Sequence, residues 1–340
     1  MLIVFYLFQL QAIVGTIEDQ GWTRVYKQSF TPHEMRRNGK KEAVLFYQTK
    51  LPIFNQLIFS WNAMRPKKGL FTFYAQVRDA KTGRWYNYHK MIEWGKGVQK
   101  SFFNRTDGSL FCYARLEVET QHKADGFRIK AVASNANDLK LLQSLIASVS
   151  NFDKFKPERY SERGKGLKTY VLTGVPKASQ FLVNHPRADA LCSPTSLSMM
   201  IGSLKGKTID PLICANLVYD EGLDVFGNWG FNMAHAYEHC GHKVQFYATR
   251  LSSFAALHKL LHQKIPVAVS VRGPLKNAPK PYDQGHLLVV IGWDAEKKKV
   301  LCHDPAFDEH GRVYMEYDIH EFVIAWERSR RLTYKPHLIS

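Results

Sequence analysis

The stretch His286-Leu287-Leu288-Val289-Val290-Ile291-Gly292-Trp293 leaves the chain little choice of local fold. It is apolar and rich in β-branched residues, so it reads as a strand. The polar run Asp294-Ala295-Glu296-Lys297-Lys298-Lys299 is turn material. Val300-Leu301-Cys302-His303-Asp304 then returns as a second strand that Pro305 ends. A hairpin symmetric about Ala295 sets His286 directly across from Asp304, with Cβ atoms roughly 4.5–5.5 Å apart, within reach of an imidazole–carboxylate hydrogen bond. A slip of one residue would bring His303 into play and turn Asp304 to the other face.

A hundred residues upstream, Leu191-Cys192-Ser193-Pro194-Thr195-Ser196 reads as the start of a helix. Ser193 suits the N-cap and Pro194 the first helical residue. Leu197, Met200, Ile201 and Leu204 recur at helical spacing, and Gly206 is the expected stop. A sulfur at a helix N-terminus sits beside unpaired N–H groups and the positive end of the macrodipole, which favours thiolate. An isolated cysteine is more often a small buried apolar side chain. A cysteine, a histidine and a carboxylate that orients the histidine are, however, the parts of a thiol acyl-transfer site.

Residues 172–326 resemble the C39-like branch of the papain-like cysteine peptidases. The matching stretches are Cys192-Ser193-Pro194-Thr195-Ser196, Val218-Tyr219-Asp220 and Gly227-Asn228-Trp229-Gly230-Phe231-Asn232, followed by Pro266-Val267-Ala268-Val269-Ser270, Gly285-His286-Leu287-Leu288-Val289-Val290 and Asp304-Pro305. The resemblance implies Cys192 as nucleophile, His286 as general base and then acid, and Asp304 as the orienting residue. It also implies a Gln upstream of the Cys as an oxyanion donor, for which Gln180 is the candidate beside the backbone N–H of Cys192. An N-terminal β-domain with an accessory binding role is implied as well.

The 340 residues suffice for two ordinary domains, and 45% hydrophobic with 13% aromatic content argues against disorder. Forty-seven Lys and Arg against 30 Asp and Glu give a net charge of +17. That charge suits an anionic neighbour such as a cell-wall polymer or membrane surface, or simply keeps a secreted protein soluble. No zinc-ribbon spacing, RNA-binding signature or Walker loop is present, so no nucleic acid is expected as a partner. The five cysteines, Cys112, Cys192, Cys214, Cys240 and Cys302, are odd in number and irregularly spaced, which makes no disulfide framework. Cys302 reads as core. Residues 1–15 are too short to span a bilayer and fit the apolar region of an export signal, although no Lys or Arg precedes them. The competing reading is a first β-strand. Export is the expected localisation, a cytoplasmic one the alternative, and no other segment reaches transmembrane length.

Residues 20–150 have the texture of a β-sandwich, with strand-like runs at 42–48, 53–61, 70–77, 84–94, 112–118 and 126–133 separated by polar turns. Residues 139–146 fit a strand or a helix. Trp61, Trp85, Tyr86, Tyr88 and Trp94 suit a sugar-stacking face or the sandwich core. Residues 151–168, rich in Lys and Arg without an apolar period, are expected to be a solvated linker to a catalytic domain over 169–335.

Two other motifs compete for function. His235-Ala236-Tyr237-Glu238-His239 matches the inverted zincin pattern, yet it also fits an ordinary helix ending at Gly241. Asn228, Trp229 and Gly230, in a glycine-rich loop, suit a cleft wall that contacts extended substrate, with Trp229 equally able to cap the core. Residues 321–328 read as a closing helix.

The expectation is an α+β protein, an all-β sandwich-like domain followed by a papain-like domain. Its activity would be thiol-dependent hydrolysis of a peptide or isopeptide bond in a peptide or protein substrate, with no cofactor and no metal. An acyl or peptidyl transferase using the same site, or a non-catalytic cell-envelope binder, are the alternatives.

Overall fold

The computed structural model describes residues 14–31, 43–106, 108–112 and 114–339. Nearly all of the candidate export segment therefore lies outside the described residues. The first half contains strands β1 Val14–Asp19, β2 Thr23–Ser29, β3 Ala43–Gln48, β4 Gln56–Ala63, β5 Leu70–Asp79, β6 His89–Gly95, β7 Val98–Ser101, β8 Asn104–Thr106, β9 Ser109–Cys112, β10 Arg115–Val118, β11 Ala124–Ala133 and β12 Leu142–Ser150. They form two antiparallel sheets, ordered β1-β2-β12-β4-β10-β9-β8 and β3-β11-β5-β6-β7. The sheets meet through rings: Tyr26 lies 6.1 Å from Phe127, and Phe59 lies 5.4 Å from Phe73. The run at 112–118 breaks into two strands, and the ambiguous 139–146 resolves into a short 3-10 turn, Ala136–Leu141, and the start of β12.

Of the five aromatics weighed for sugar stacking, Trp61 and Trp94 are fully buried in the sandwich core and Tyr86 is buried against Asp79. Trp85 lies under the Arg128 guanidinium, leaving Tyr88 exposed.

The second half builds one sheet from β13 Tyr170–Val171, β14 Val244–Arg250, β15 Val267–Gly273, β16 Tyr282–Asp294, β17 Lys299–His303, β18 Tyr314–Asp318 and β19 Leu332–Leu338. Its order is β14-β19-β15-β16-β17-β18, with β13 added against β16. Helices α1 Cys192–Lys205, α2 Pro211–Val218 and α3 Trp229–Cys240 cover one face; α4 Phe254–His262 and α5 Ile319–Arg328 cover the other. The period of two in β16 explains the arrangement. Leu287, Val289 and Ile291 join the core under α1, while Leu288 and Val290 join the core with Phe254, Phe322 and Trp326.

The two halves share a core. Strand β4 is buried along its whole length because one face points into the sandwich and the other meets the second half. On that second face polar side chains stand in for a strand ladder. Asn62 accepts from the Phe246 N–H at 2.7 Å and donates to its carbonyl at 3.3 Å, and Ser60 accepts from the Ala248 N–H at 3.1 Å. Gly230 packs on the Trp61 ring, where a Cβ would come within 2.6 Å.

Residues 151–168 are mostly solvent-exposed, yet they are anchored at several points. Phe155 packs 4.9 Å from Trp22, Arg331 donates to the Lys156 carbonyl, and the Glu158 N–H donates to Glu327. The apolar anchors Phe152 and Phe155 are what the charge-rich composition of the segment obscured.

Candidate active site

Helix α1 begins at Cys192, with Leu191 as N-cap, two residues earlier than the Ser-Pro pair suggests. Pro194 still falls in the first turn, where its missing N–H costs no intrahelical bond. Ser193 turns its hydroxyl into the core, donating to Asn232 at 3.0 Å. The N–H groups of Cys192 and Ser193 have no acceptor within the helix. Gly206 ends the helix in the left-handed conformation. Residues four apart share a helix face, and Ser196 fixes that face by donating to the Leu287 carbonyl at 2.9 Å. Cys192, one turn earlier, is thereby set beside His286.

His286 Nε2 and Asp304 Oδ1 are 2.7 Å apart. The pairing is not the direct one expected from the sequence. The turn holds four residues, 295–298, and β16 carries an extra residue, Ile291, so the ladder pairs Val289 with His303 and Val290 with Cys302. His286 and Asp304 are therefore diagonal neighbours on one face. His303 points to the other side and bonds the Pro176 carbonyl through Nδ1 at 3.0 Å.

Two residues that the sequence reading passed over complete the carboxylate's surroundings. Tyr282 and Tyr317 donate to Asp304 Oδ2 at 2.8 and 2.6 Å, and the Ala306 N–H donates to Oδ1 at 3.0 Å. The Tyr282 ring also stacks on His286, with centroids 4.0 Å apart and planes 16° from parallel. Tyr282 precedes His286 by four residues on one strand, an even spacing that signals a shared face.

The electrostatics follow from this chain of groups. Burial alone would push the Cys192 thiol up. The hydrogen bond to His286 and its positive charge, with the Leu287 N–H donating to sulfur, outweigh burial and hold the thiol below its usual range. Burial would lower His286, but the Asp304 carboxylate and the Cys192 thiolate raise it well above the usual imidazole value. Asp304 is held below the usual carboxylate range despite its own burial, chiefly by His286. With Nε2 committed to Asp304, Nδ1 is the ring nitrogen left for the sulfur. Both shifts favour the charged forms, a thiolate on Cys192 and an imidazolium on His286.

Cys192 and His286 open on a cavity of about 410 Å³. Ser193, Gly227, Asn228, Trp229, Ser270 and Gln284 are among the residues lining it, together with two arginines, Arg115 and Arg272. Arg115 comes from β10 of the sandwich, its guanidinium 5.9 Å from the Trp229 ring. Two surface concavities of similar volume, one around Arg105 and Gln121 and one between Glu18 and His337, hold no cysteine.

Asn228 caps α3, accepting from the Gly230 N–H at 3.1 Å, and donates to the buried Asp220 at 2.7 Å. Asp220 also accepts from the Ser101 N–H at 2.9 Å, so the sandwich braces this wall of the cavity. Gly230 does not line the cavity; it is turned to Trp61.

Gln180, the candidate oxyanion donor, has its amide engaged next to the site. Its amide donates to the carbonyls of Ala188 at 3.0 Å and Asp189 at 2.9 Å, so both hydrogens brace the turn leading into Cys192. The first-turn N–H groups of α1 are the donors left beside the sulfur. At the zincin-like motif, Glu238 is engaged by the side chain and N–H of Arg65. No group of three or more His, Cys, Asp or Glu among the described residues is placed to hold a metal ion. All five cysteines are free thiols.

Residues 172–334 match the Peptidase_C39 like family. The resemblance read from the sequence holds over this segment, and a cysteine peptidase activity is what the family suggests. A crystal structure from Bacillus anthracis, assigned as a C39-like peptidase, aligns at 19% identity over 51% of this chain and 99% of its own, with a TM-score of 0.39. That likeness is too loose to carry an argument of its own. Among the curated proteins none matches the chain.

Proposed function

We propose that the protein is a thiol-dependent hydrolase of peptide or isopeptide bonds, with Cys192 as nucleophile, His286 as base and then acid, and Asp304 as the orienting carboxylate. The reading places the site in a papain-like unit over 169–335. The observation that supports it is the buried His286–Asp304 pair beside Cys192 at the start of α1, with Cys192 and His286 both lining one cavity.

The thiolate attacks the carbonyl carbon, and the carbonyl electron pair moves to oxygen, toward the N–H groups of Cys192 and Ser193. As the pair returns, the C–N bond breaks and the proton on His286 passes to the leaving amine. A thioester on Cys192 remains. Neutral His286 takes a proton from water, whose oxygen attacks the thioester, and the acid leaves as the thiolate–imidazolium pair is restored.

The test is turnover of a quenched-fluorescent peptide library by wild type and Cys192→Ala, with and without an added amine nucleophile. Loss of turnover in Cys192→Ala with products carrying free carboxylates supports hydrolysis. Products joined to the amine would move the reading to acyl transfer, and turnover that ignores Cys192 would sink it.

A further inference from the structure

The cleft is lined by charge of one sign. Apart from Cys192 and His286, its titratable side chains are Arg115 and Arg272, and no Asp or Glu lines it. Arg115 is partly spent, since its Nε donates to Glu117 at 2.6 Å. Arg272 is not: its side chain is exposed, and among the described residues it forms no ion pair.

The backbone presents Arg272 to the cleft. Strands β15 and β16 pair Val271 with His286 and Gly273 with Tyr282, so Asp283, Gln284 and Gly285 bulge out against the single residue Arg272. Gln284 and Gly285 line the cavity, whereas Asp283 does not. The Arg272 guanidinium lies 3.8 Å from where a Cβ on Gly285 would stand, beside His286. Arg328, which donates to the Arg272 carbonyl at 3.4 Å, adds a second positive charge behind it.

We propose that Arg272 is a specificity-determining residue that binds a carboxylate on the leaving portion of the substrate, making the preferred substrate an acidic peptide. This rests on the reading of Cys192 and His286 as the reacting pair. The proton on His286 must reach the departing nitrogen, so the leaving portion passes on the His286 side of the sulfur, where Arg272 stands. A planar guanidinium with no ion-pair partner among the described residues is suited to bidentate contact with a carboxylate. The carboxylate could be an acidic side chain or the free C-terminus of the leaving residue, and both present the same two oxygens.

Alkylation of Cys192 tests the charge without requiring any substrate. Iodoacetate and iodoacetamide are near-isosteric, and only the first carries a carboxylate. Their rate ratio at Cys192, relative to a small free thiol, is expected to favour iodoacetate by about tenfold at low salt, in line with one uncompensated cleft charge. Arg272→Gln should remove most of that preference and Arg272→Lys should restore part of it. The iodoacetamide rate in each variant reports whether the thiolate–imidazolium pair is intact. A ratio that Arg272→Gln leaves unchanged overturns the proposal.

Peptides ending in Glu or Gln beyond the scissile bond, each with a free or amidated C-terminus, separate the two carboxylate sources. Preference for Glu in both forms assigns the side chain, and preference for the free acid assigns the terminus. If peptides are cleaved with no preference for a carboxylate, this inference fails alone. If the alkylation ratio responds to Arg272 and no peptide is cleaved, the hydrolase reading fails and the anion site stands.

Discussion

His286 reaches Asp304 at 2.7 Å across a ladder that does not pair the two directly. The four-residue turn shifts the register by an odd number of residues from a hairpin centred on Ala295, which alone would leave the two side chains on opposite faces. The extra residue Ile291 restores the face. Its carbonyl accepts from the Leu172 N–H at 2.7 Å, and the neighbouring Gly292 leaves room for the Tyr170 carbonyl. Strand β13 thus holds open the bulge that brings His286 and Asp304 to one side. Deleting Ile291 should therefore abolish Cys192 reactivity enhancement while leaving a folded protein, checked by iodoacetamide labelling beside circular dichroism.

Asp304→Asn keeps the shape and loses the charge. An amide on that side chain also cannot accept on both of its atoms, so a donor from Tyr282, Tyr317 or Ala306 is left without a partner. Stability should fall by about 1–3 kcal/mol, and turnover by roughly 10²–10⁴-fold with KM little changed. Denaturant unfolding and steady-state kinetics read the two effects separately.

The pH dependence has a defined sign. Cys192 is lowered, so its thiolate is lost only as pH falls through that lowered value; His286 is raised to about 10, so the imidazolium is lost as pH rises through it. Iodoacetamide labelling of wild type should persist to lower pH than that of an ordinary thiol. In His286→Ala the largest contributions opposing burial are lost and only the Leu287 N–H remains, so labelling at neutral pH should drop at least about tenfold. Stability carried by His286 is full below its unfolded value and fades toward pH 10. Stability carried by Asp304 is present above its unfolded value and fades as pH falls through its lowered one.

Tyr282 acts in two ways that substitutions separate. Tyr282→Phe keeps the ring stacked on His286 and removes one donor to Asp304, so it should cost about 1 kcal/mol in stability with a modest change in turnover. Tyr282→Leu removes the stack as well. Its turnover should fall further than that of the Phe variant, with the loss in kcat rather than KM. Equal kinetics for the two variants would refute a positioning role for the ring.

Much of this geometry is written locally. The stop of α1 at Gly206, the alternation in β16 and the breaks between sandwich strands come from residues close in sequence, where period and turn chemistry act. The register of the hairpin does not, because the bulge at Ile291 is stabilised by Leu172, more than a hundred residues away. Tyr317 and Arg115 join the site through sheet pairing and the contact between the halves, which leave no local signal. Gln180 is a different case: the residue type suits an oxyanion donor, while in the structure its amide donates to two carbonyls of the loop before Cys192, a pairing that residue type alone does not signal.

The contact between the halves makes a last prediction that also bears on the zincin-like motif. Arg65 binds Glu238 and, through its Nη atoms, the carbonyls of Gly95 and Leu217, joining the sandwich to α3 from a half-buried position. Removing the cation strands a carboxylate, whereas removing both partners does not. Arg65→Met should destabilise by about 3 kcal/mol, and adding Glu238→Gln should recover part of that loss. A zinc role for Glu238 predicts the reverse order, with Glu238→Gln the more damaging change and zinc protecting the wild type. Thermal unfolding of the three variants with and without added zinc decides between them, and zinc-independent rescue in the double variant is the expected result.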